Sequence, residues 1–143
     1  MMKANELRIG NIVTDVFYEH FKTEIKVDSV NSKGINLEIT DDGNWPELSQ
    51  HFITPVYGFE KLHGIPLTPE ILEKCGFLKC INADDAVLFK KQYFEIEYME
   101  FASEQNNGFY YDNNTPYELH IKSLHQLQNL YFALTGEELE INL

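Results

Sequence analysis

An α+β fold is predicted here from three observations. Apolar and polar residues alternate in several short stretches of the first 57 residues, the period-two mark of half-buried strands. A second group of such stretches lies beyond residue 86. Two segments, around residues 68–76 and 123–136, carry instead the three-to-four spacing of amphipathic helices. The expected architecture is a small, curled, SH3-like β-sheet over residues 1–57, followed by an α+β part over residues 58–143. In that second part a short helix precedes a second antiparallel sheet, packed by a C-terminal amphipathic helix over residues 123–135. The stretch 58–66, between the two β regions, is the candidate boundary, and there is no internal repeat.

In the first region "NIVTDVFY" at residues 11–18 is rich in the β-branched and aromatic residues that suit a pleated surface. "EIKVDSV" at 24–30 begins by alternating Ile25 and Val27 with Lys26 and Asp28. "GINLEIT" at 34–40 alternates more cleanly, and "NSKG" at 31–34 supplies a hairpin connection between them. "DDGNWPE" at 41–47 reads as a polar turn, since Asp-Gly turns the chain without any metal. "HFITPVY" at 51–57 is a further candidate strand, confined by Pro55 to an edge or an end.

The middle segment "GIPLTPEILEKCGF" carries helix punctuation. Thr68 is the expected N-cap, Pro69 is pre-set for the first helical position, and Gly76 provides a left-handed stop. "AVLFKK" and "YFEIEYMEF" then read as strands. In the latter, Phe94, Ile96 and Tyr98 share one face, but Met99 and Phe101 fall on the opposite parity, so a bulge near Tyr98 is expected. "NNG" turns the chain before "FYYD" and "YELHI", two strands interrupted by Pro116. In the last helix Ser123 and Gln126 have capping-box spacing. Leu124, Leu127, Leu130, Tyr131 and Leu134 form its apolar face, each leucine contributing about 1.5–3 kcal/mol if buried. Gly136 ends the helix, and "ELEINL" alternates as a closing strand would.

The charge balance narrows the functions. The formal net charge is −12. Up to Leu67 there are 6 basic and 10 acidic residues; beyond it there are 5 and 13. A cationic face for nucleic-acid phosphates is hard to assemble from this balance, and an anionic membrane surface is disfavoured for the same reason. No apolar run reaches the ~20 residues of a bilayer span, and "MMKANELRIG" lacks the apolar core of a secretion signal. Two cysteines, Cys75 and Cys80, are too few for a disulfide framework and are expected to be free thiols in a cytoplasmic setting.

No pattern of catalytic chemistry stands out. His20, His51, His63, His120 and His125 have no ligand spacing among them, and Cys75-x4-Cys80 lacks a second pair at zinc spacing. Nucleophile elbows and phosphate loops are absent from the sequence. Cys75 stands near a helix C-terminus, where the dipole does not favour a thiolate. No catalytic, cofactor-binding or metal residue is therefore assigned. Glu95 and Glu97 lie on one face of a strand, about 6.5 Å apart, where paired carboxylates either do acid–base work or form the solvated side of a sheet. Tyr110, Tyr111 and Tyr117 flank a turn; exposed they would make a patch suited to protein contacts, buried they would fill the core with hydroxyls reaching water. Tyr110, Tyr111, Tyr117, Glu95 and Glu97 are thus the candidate partner-binding residues.

Three ordered segments, "ANELRIGNIV", "IPLTPEILEKCGF" and "LHQLQNLYFALTGEEL", carry a resemblance across most of the chain. They resemble a family of small proteins encoded in gut-bacterial (Bacteroidetes-type) genomes, often within prophage-like or conjugative elements. The resemblance implies a bacterial cytosolic setting and names no reaction, and it does not extend to residues 83–116. The leading functional expectation is a non-enzymatic accessory or protein-interaction module. The alternatives are an acidic decoy for a basic nucleic-acid-binding protein, steered by charge, and a small enzyme whose site gathers distant histidines and carboxylates.

Overall fold

The computed structural model of the chain describes residues 4–15, 25–30, 34–39, 57–58, 62–111 and 119–142. It is α+β, with two antiparallel sheets and a C-terminal helix. The chain groups into two compact units, Met1–Ile65 with Leu124–Asn129, and Pro66–Ser123 with Leu130–Leu143. Expectations for residues 31–33, 40–56 and 112–118, which include the "DDGN" turn, most of "HFITPVY", Pro55 and Pro116, lie outside the described residues.

The first unit contains β1 (Ile12–Asp15), β2 (Ile25–Val30) and β3 (Gly34–Ile39), flanked by the two-residue strands β4 (Tyr57–Gly58) and β5 (Leu62–His63). Their order is β4-β3-β2-β1-β5. The register of β2 on β3 runs Ile25↔Ile39 to Val27↔Leu37 and then slips, so that Ser29 faces Asn36 and Val30 faces Ile35. One extra residue in β2 is a β-bulge, and it accounts for the alternation of "EIKVDSV" failing after Asp28. Among the described residues the core of this unit is aliphatic: Leu7, Ile12, Val13, Val27, Leu62, Ile65, Leu124 and Leu127 are all buried.

The second unit begins with α1 (Pro69–Lys74), whose N-cap Thr68 accepts a hydrogen bond from the Ile71 amide at 3.2 Å. Gly76 follows at φ +86°, a left-handed conformation that glycine adopts without a Cβ clash. The Lys91 ammonium donates to the Cys75 carbonyl at 2.7 Å, a cation at the negative end of the helix. Five strands then form an unbroken antiparallel meander: β6 (Leu78–Ile81), β7 (Val87–Lys91), β8 (Phe94–Met99), β9 (Gly108–Tyr111) and β10 (Leu119–Ile121).

Directly paired residues share a sheet face. Phe89, Ile96 and Tyr111 therefore line up on one face with Tyr98, Phe109 and Ile121. This face is aromatic: Phe89 meets Phe109 edge to face at 5.7 Å, and Tyr98 meets the same Phe109 at 5.2 Å. Phe94 lies 5.9 Å from Phe77, 4.8 Å from Tyr111 and 5.4 Å from Tyr131. Geometries of this kind add about 0.5–1.5 kcal/mol each to the area buried.

The C-terminal helix, α2, spans Leu124–Thr135 and ends at Gly136 in the left-handed conformation, φ 73°. Several finer expectations are corrected. No bulge occurs near Tyr98: β8 pairs in continuous register with β7 and β9 and ends at Met99, leaving Phe101 beyond the strand with its ring 5.7 Å from Tyr110. The Ser123 side chain makes no N-cap bond; the Leu124 amide donates instead to the Ile65 carbonyl at 2.9 Å. Residues 137–142 form no strand, although Leu139 is buried and the Asn142 amide donates to the Lys74 carbonyl. Strand β6 was not expected at all. The buried face of α2 runs through Leu124, Leu127, Gln128 and Tyr131, while Leu130 is half-buried and Leu134 is 52% exposed.

Candidate functional site

The most prominent surface feature of the second unit is its outer strand. β6 pairs with β7 only and forms one end of the sheet, so its outer row of backbone groups has no strand partner among the described residues. On this four-residue strand Leu78 is 75% exposed and Ile81 is 65% exposed. Natural sheets ordinarily blunt such an edge with charge, proline or a covering segment. Here Lys79 is the single charge within the strand. The hairpin to β7 is fixed by Asn82, whose Oδ1 accepts from the amides of Asp84 and Ala86, with Asp85 at φ 62°. The edge is thus presented on a defined turn.

A cleft of about 380 Å³ lies elsewhere in the same unit, lined by Leu67, Tyr98, Gln105, Asn107, Gly108, Phe109, His120, Ile121 and Lys122. One of these, His120, stacks its ring on Tyr110 at 4.4 Å and 18°. A Cβ on Gly108 would come within 2.6 Å of His120 Nε2, so glycine at this position is what admits the imidazole. Desolvation, and secondarily the Lys122 charge, hold the His120 pKa below the usual imidazole range. The Asn107 Oδ1 accepts from the Phe101 amide at 2.6 Å, which turns its NH₂ group away from that bond.

The candidate partner-binding residues separate. Tyr110 is buried, its hydroxyl donating to the Asn106 carbonyl at 2.6 Å, and Tyr111 is half-buried against Phe94. Tyr117 is outside the described residues. Glu95 and Glu97 are half-buried, and Glu95 pairs with Lys90 across the β7–β8 hairpin at 3.5 Å. His63 lies on β5, opposite Thr14 of β1; His125 is buried on α2; His20 and His51 are not among the described residues. The cleft therefore gathers His120 and none of the described acidic residues. Among the described residues no group of three or more His, Cys, Asp or Glu side chains is placed to hold a metal ion. Burial pushes the Cys75 thiol up to about 11, with Lys91 pulling the other way, so at neutral pH it is a protonated core group. No helix among the described residues is long and apolar enough to cross a membrane.

Sequence reasoning missed both features for identifiable reasons. "LKCI" is too short to show a period. The cleft draws on residues 67, 98, 105, 107–109 and 120–122, which are distant in the chain and are brought together by the folded second unit.

The first unit carries a different constellation. Gln128 Oε1 accepts from the Ile12 amide at 2.8 Å and from Asn11 Nδ2 at 3.5 Å, while Gln128 Nε2 donates to the Gly10 carbonyl at 3.1 Å. Asn129 Oδ1 accepts from Arg8 Nε at 3.1 Å and Asn11 Nδ2 at 2.9 Å, and its own Nδ2 donates to the Glu6 carbonyl at 2.9 Å. These residues come from "ELRIGNI" and "LQN", near opposite ends of the chain, and their task is architectural. No family model matches the chain, and neither a curated protein nor a solved structure matches it.

Proposed function

We propose that this protein is a non-enzymatic protein-interaction module of a bacterial cytosolic system, of the mobile-element kind implied by the resemblance. It accepts an extended segment of a partner protein at the β6 edge. The observation that carries this reading is Leu78 and Ile81, both largely exposed on a strand whose outer edge is unpaired among the described residues. Strand addition draws affinity from main-chain hydrogen bonds and selectivity from alternate side chains. Leu78 and Ile81 have opposite parity, so each face of an added strand would meet one apolar neighbour. The antiparallel succession β1-β2-β3 within residues 1–57 is what supports reading that segment as SH3-like.

The test compares the wild-type chain with the double variant Leu78→Lys, Ile81→Lys in affinity capture from a bacterial host. Both positions are exposed, so the variant keeps its core. A stoichiometric partner is expected on the wild type and lost on the variant, with slowed amide exchange at residues 78–81 in the complex. A partner retained by the variant, or protection confined to other strands, overturns the reading. Binding that survives the variant but collapses in high salt would point instead to the acidic surface of a decoy.

A further inference from the structure

We propose that the resting occupant of the β6 edge is a second copy of this chain, the two β6 strands pairing antiparallel about a two-fold axis beside Cys80. This deepens the interaction reading and rests on the same edge: self-pairing holds the strand until a foreign segment displaces it. Covering an edge in this way is one of the means by which sheets avoid indiscriminate pairing.

The register follows from which backbone groups point outward. In the β6–β7 ladder Ile81 lies opposite Val87, and one step further the Asn82 amide donates to the Ala86 carbonyl at 3.1 Å. Opposed residues alternate between pairs that exchange both bonds and pairs that exchange none. Asn82, Cys80 and Leu78 therefore bond towards β7, while the N–H and C=O groups of Lys79 and Ile81 point away from it, to the edge. A two-fold axis perpendicular to the sheet keeps every side chain on its own face, and directly opposed residues share a face. Opposed positions must then have the same parity. Centred on Lys79, this symmetry sets two ammonium groups directly against each other, a destabilising pair. Centred on Leu78 or Ile81, it carries Lys79 against Phe77 or Ala83, outside the strand. Centred on Cys80, it sets Lys79 against Ile81 of the second copy, and every outward group of both residues finds a partner within β6.

The same register covers the exposed apolar residues. The Lys79 stem lies beside Ile81 of the second copy, as lysine stems do over apolar surface. Leu78 stands diagonal to Cys80 of the second copy, within reach of a long side chain. The two Cys80 residues face each other in a pair that exchanges no hydrogen bonds, where Cα atoms sit about 4.5 Å apart. That spacing falls within the roughly 4.4–6.8 Å a disulfide spans.

The experiment oxidises the full chain with glutathione disulfide, in high salt to screen the −12 charge that each copy carries. Two Cys80 thiols give up two protons and two electrons, and one glutathione disulfide is reduced to two glutathione molecules. A dimer linked Cys80 to Cys80 is expected by peptide mass mapping, with the buried Cys75 left reduced. The variant Lys79→Cys, Cys80→Ser should link at least about tenfold more slowly, since its thiols are diagonal, with Cα atoms about 7–8 Å apart. Lys79 is exposed and Cys80 half-buried, so chance collision predicts the opposite order. Ile81→Pro removes an outward N–H from each copy, and with it half of the inter-strand bonds, at an edge position that tolerates proline. It should slow Cys80 linkage at least about fivefold, while the amide resonances of β7 to β9 stay in place. No Cys80 linkage, faster linkage at position 79, or an unaffected Ile81→Pro variant would each overturn the proposal. Capture of a foreign partner by a chain that does not self-link overturns self-pairing and leaves the interaction reading intact; self-linkage without a captured partner supports self-pairing and removes that reading.

Discussion

Gln128 and Tyr131 stand one turn apart on α2, yet they stabilise their units by opposite physics. In the first unit the helix reaches out with amides: Gln128 and Asn129 take up the backbone of Glu6, Gly10 and Ile12 together with the side chains of Arg8 and Asn11. In the second unit it presents a phenol ring, placed against Phe94 at 5.4 Å and under the Lys91 ammonium at 5.7 Å. Hydrogen bonds to a particular carbonyl and a particular amide are directional and specify one register. Aromatic packing supplies more energy per residue but tolerates small displacements. One amphipathic helix thus supplies directional amides at Gln128 and Asn129 and a packed ring at Tyr131.

Three experiments would break or sharpen this contrast. The largest effect is expected from Phe89→Ala, which empties a fully buried ring site in contact with Phe109 and should destabilise by about 3–5 kcal/mol. Chemical denaturation gives the size, and amide exchange should speed up first in β6 to β9. An equal effect on β1 and β2 would show that the division of labour is wrong. Gln128→Ala comes next, at about 1–3 kcal/mol, because it leaves the buried Ile12 amide without an acceptor. Its exchange signature should centre on residues 6–15, and a loss below a few tenths of a kcal/mol would demote the amide network to decoration.

The smallest effect is a pH dependence. Burial lowers the pKa of His125, against a weaker opposing pull from Glu6. The unfolded chain therefore takes up this proton before the folded one does. Stability is full above the usual imidazole range and declines as the pH falls through it towards the lower folded value. Denaturation midpoints at pH 7.5 and 5.5 should show that decline, and His125→Gln should flatten it. An unchanged slope in the variant would place the acid sensitivity elsewhere.

Legibility in the sequence followed the kind of force at work. The alternation of "GINLEI", the Thr68-Pro69 to Gly76 punctuation and the leucine spacing of α2 all come from apolar burial or backbone stereochemistry, and each marks an element that forms. The amide network left no such trace, since Asn11, Gln128 and Asn129 are polar and a hydrophobic pattern assigns them to the surface. The inward face of α2 differs from the leucine ridge for the same reason: Gln128 is buried in it and Leu134 lies outside. The tyrosine candidates were ambiguous on sequence because a tyrosine serves core and contact equally well; Tyr110 is resolved only by its stack on His120 and its bond to Asn106. The β6 edge was hidden for a simpler reason, since a four-residue strand is shorter than the window in which a period can be recognised.

The bond between Gln128 and Ile12 joins positions 116 residues apart in the chain. At ribosomal speeds of about 5–20 residues per second, the acceptor emerges on the order of ten seconds after the donor. For all that interval the opening strands exist without the helix that completes their register. A chain ending before α2 would leave the Ile12 amide without the Gln128 oxygen that accepts from it.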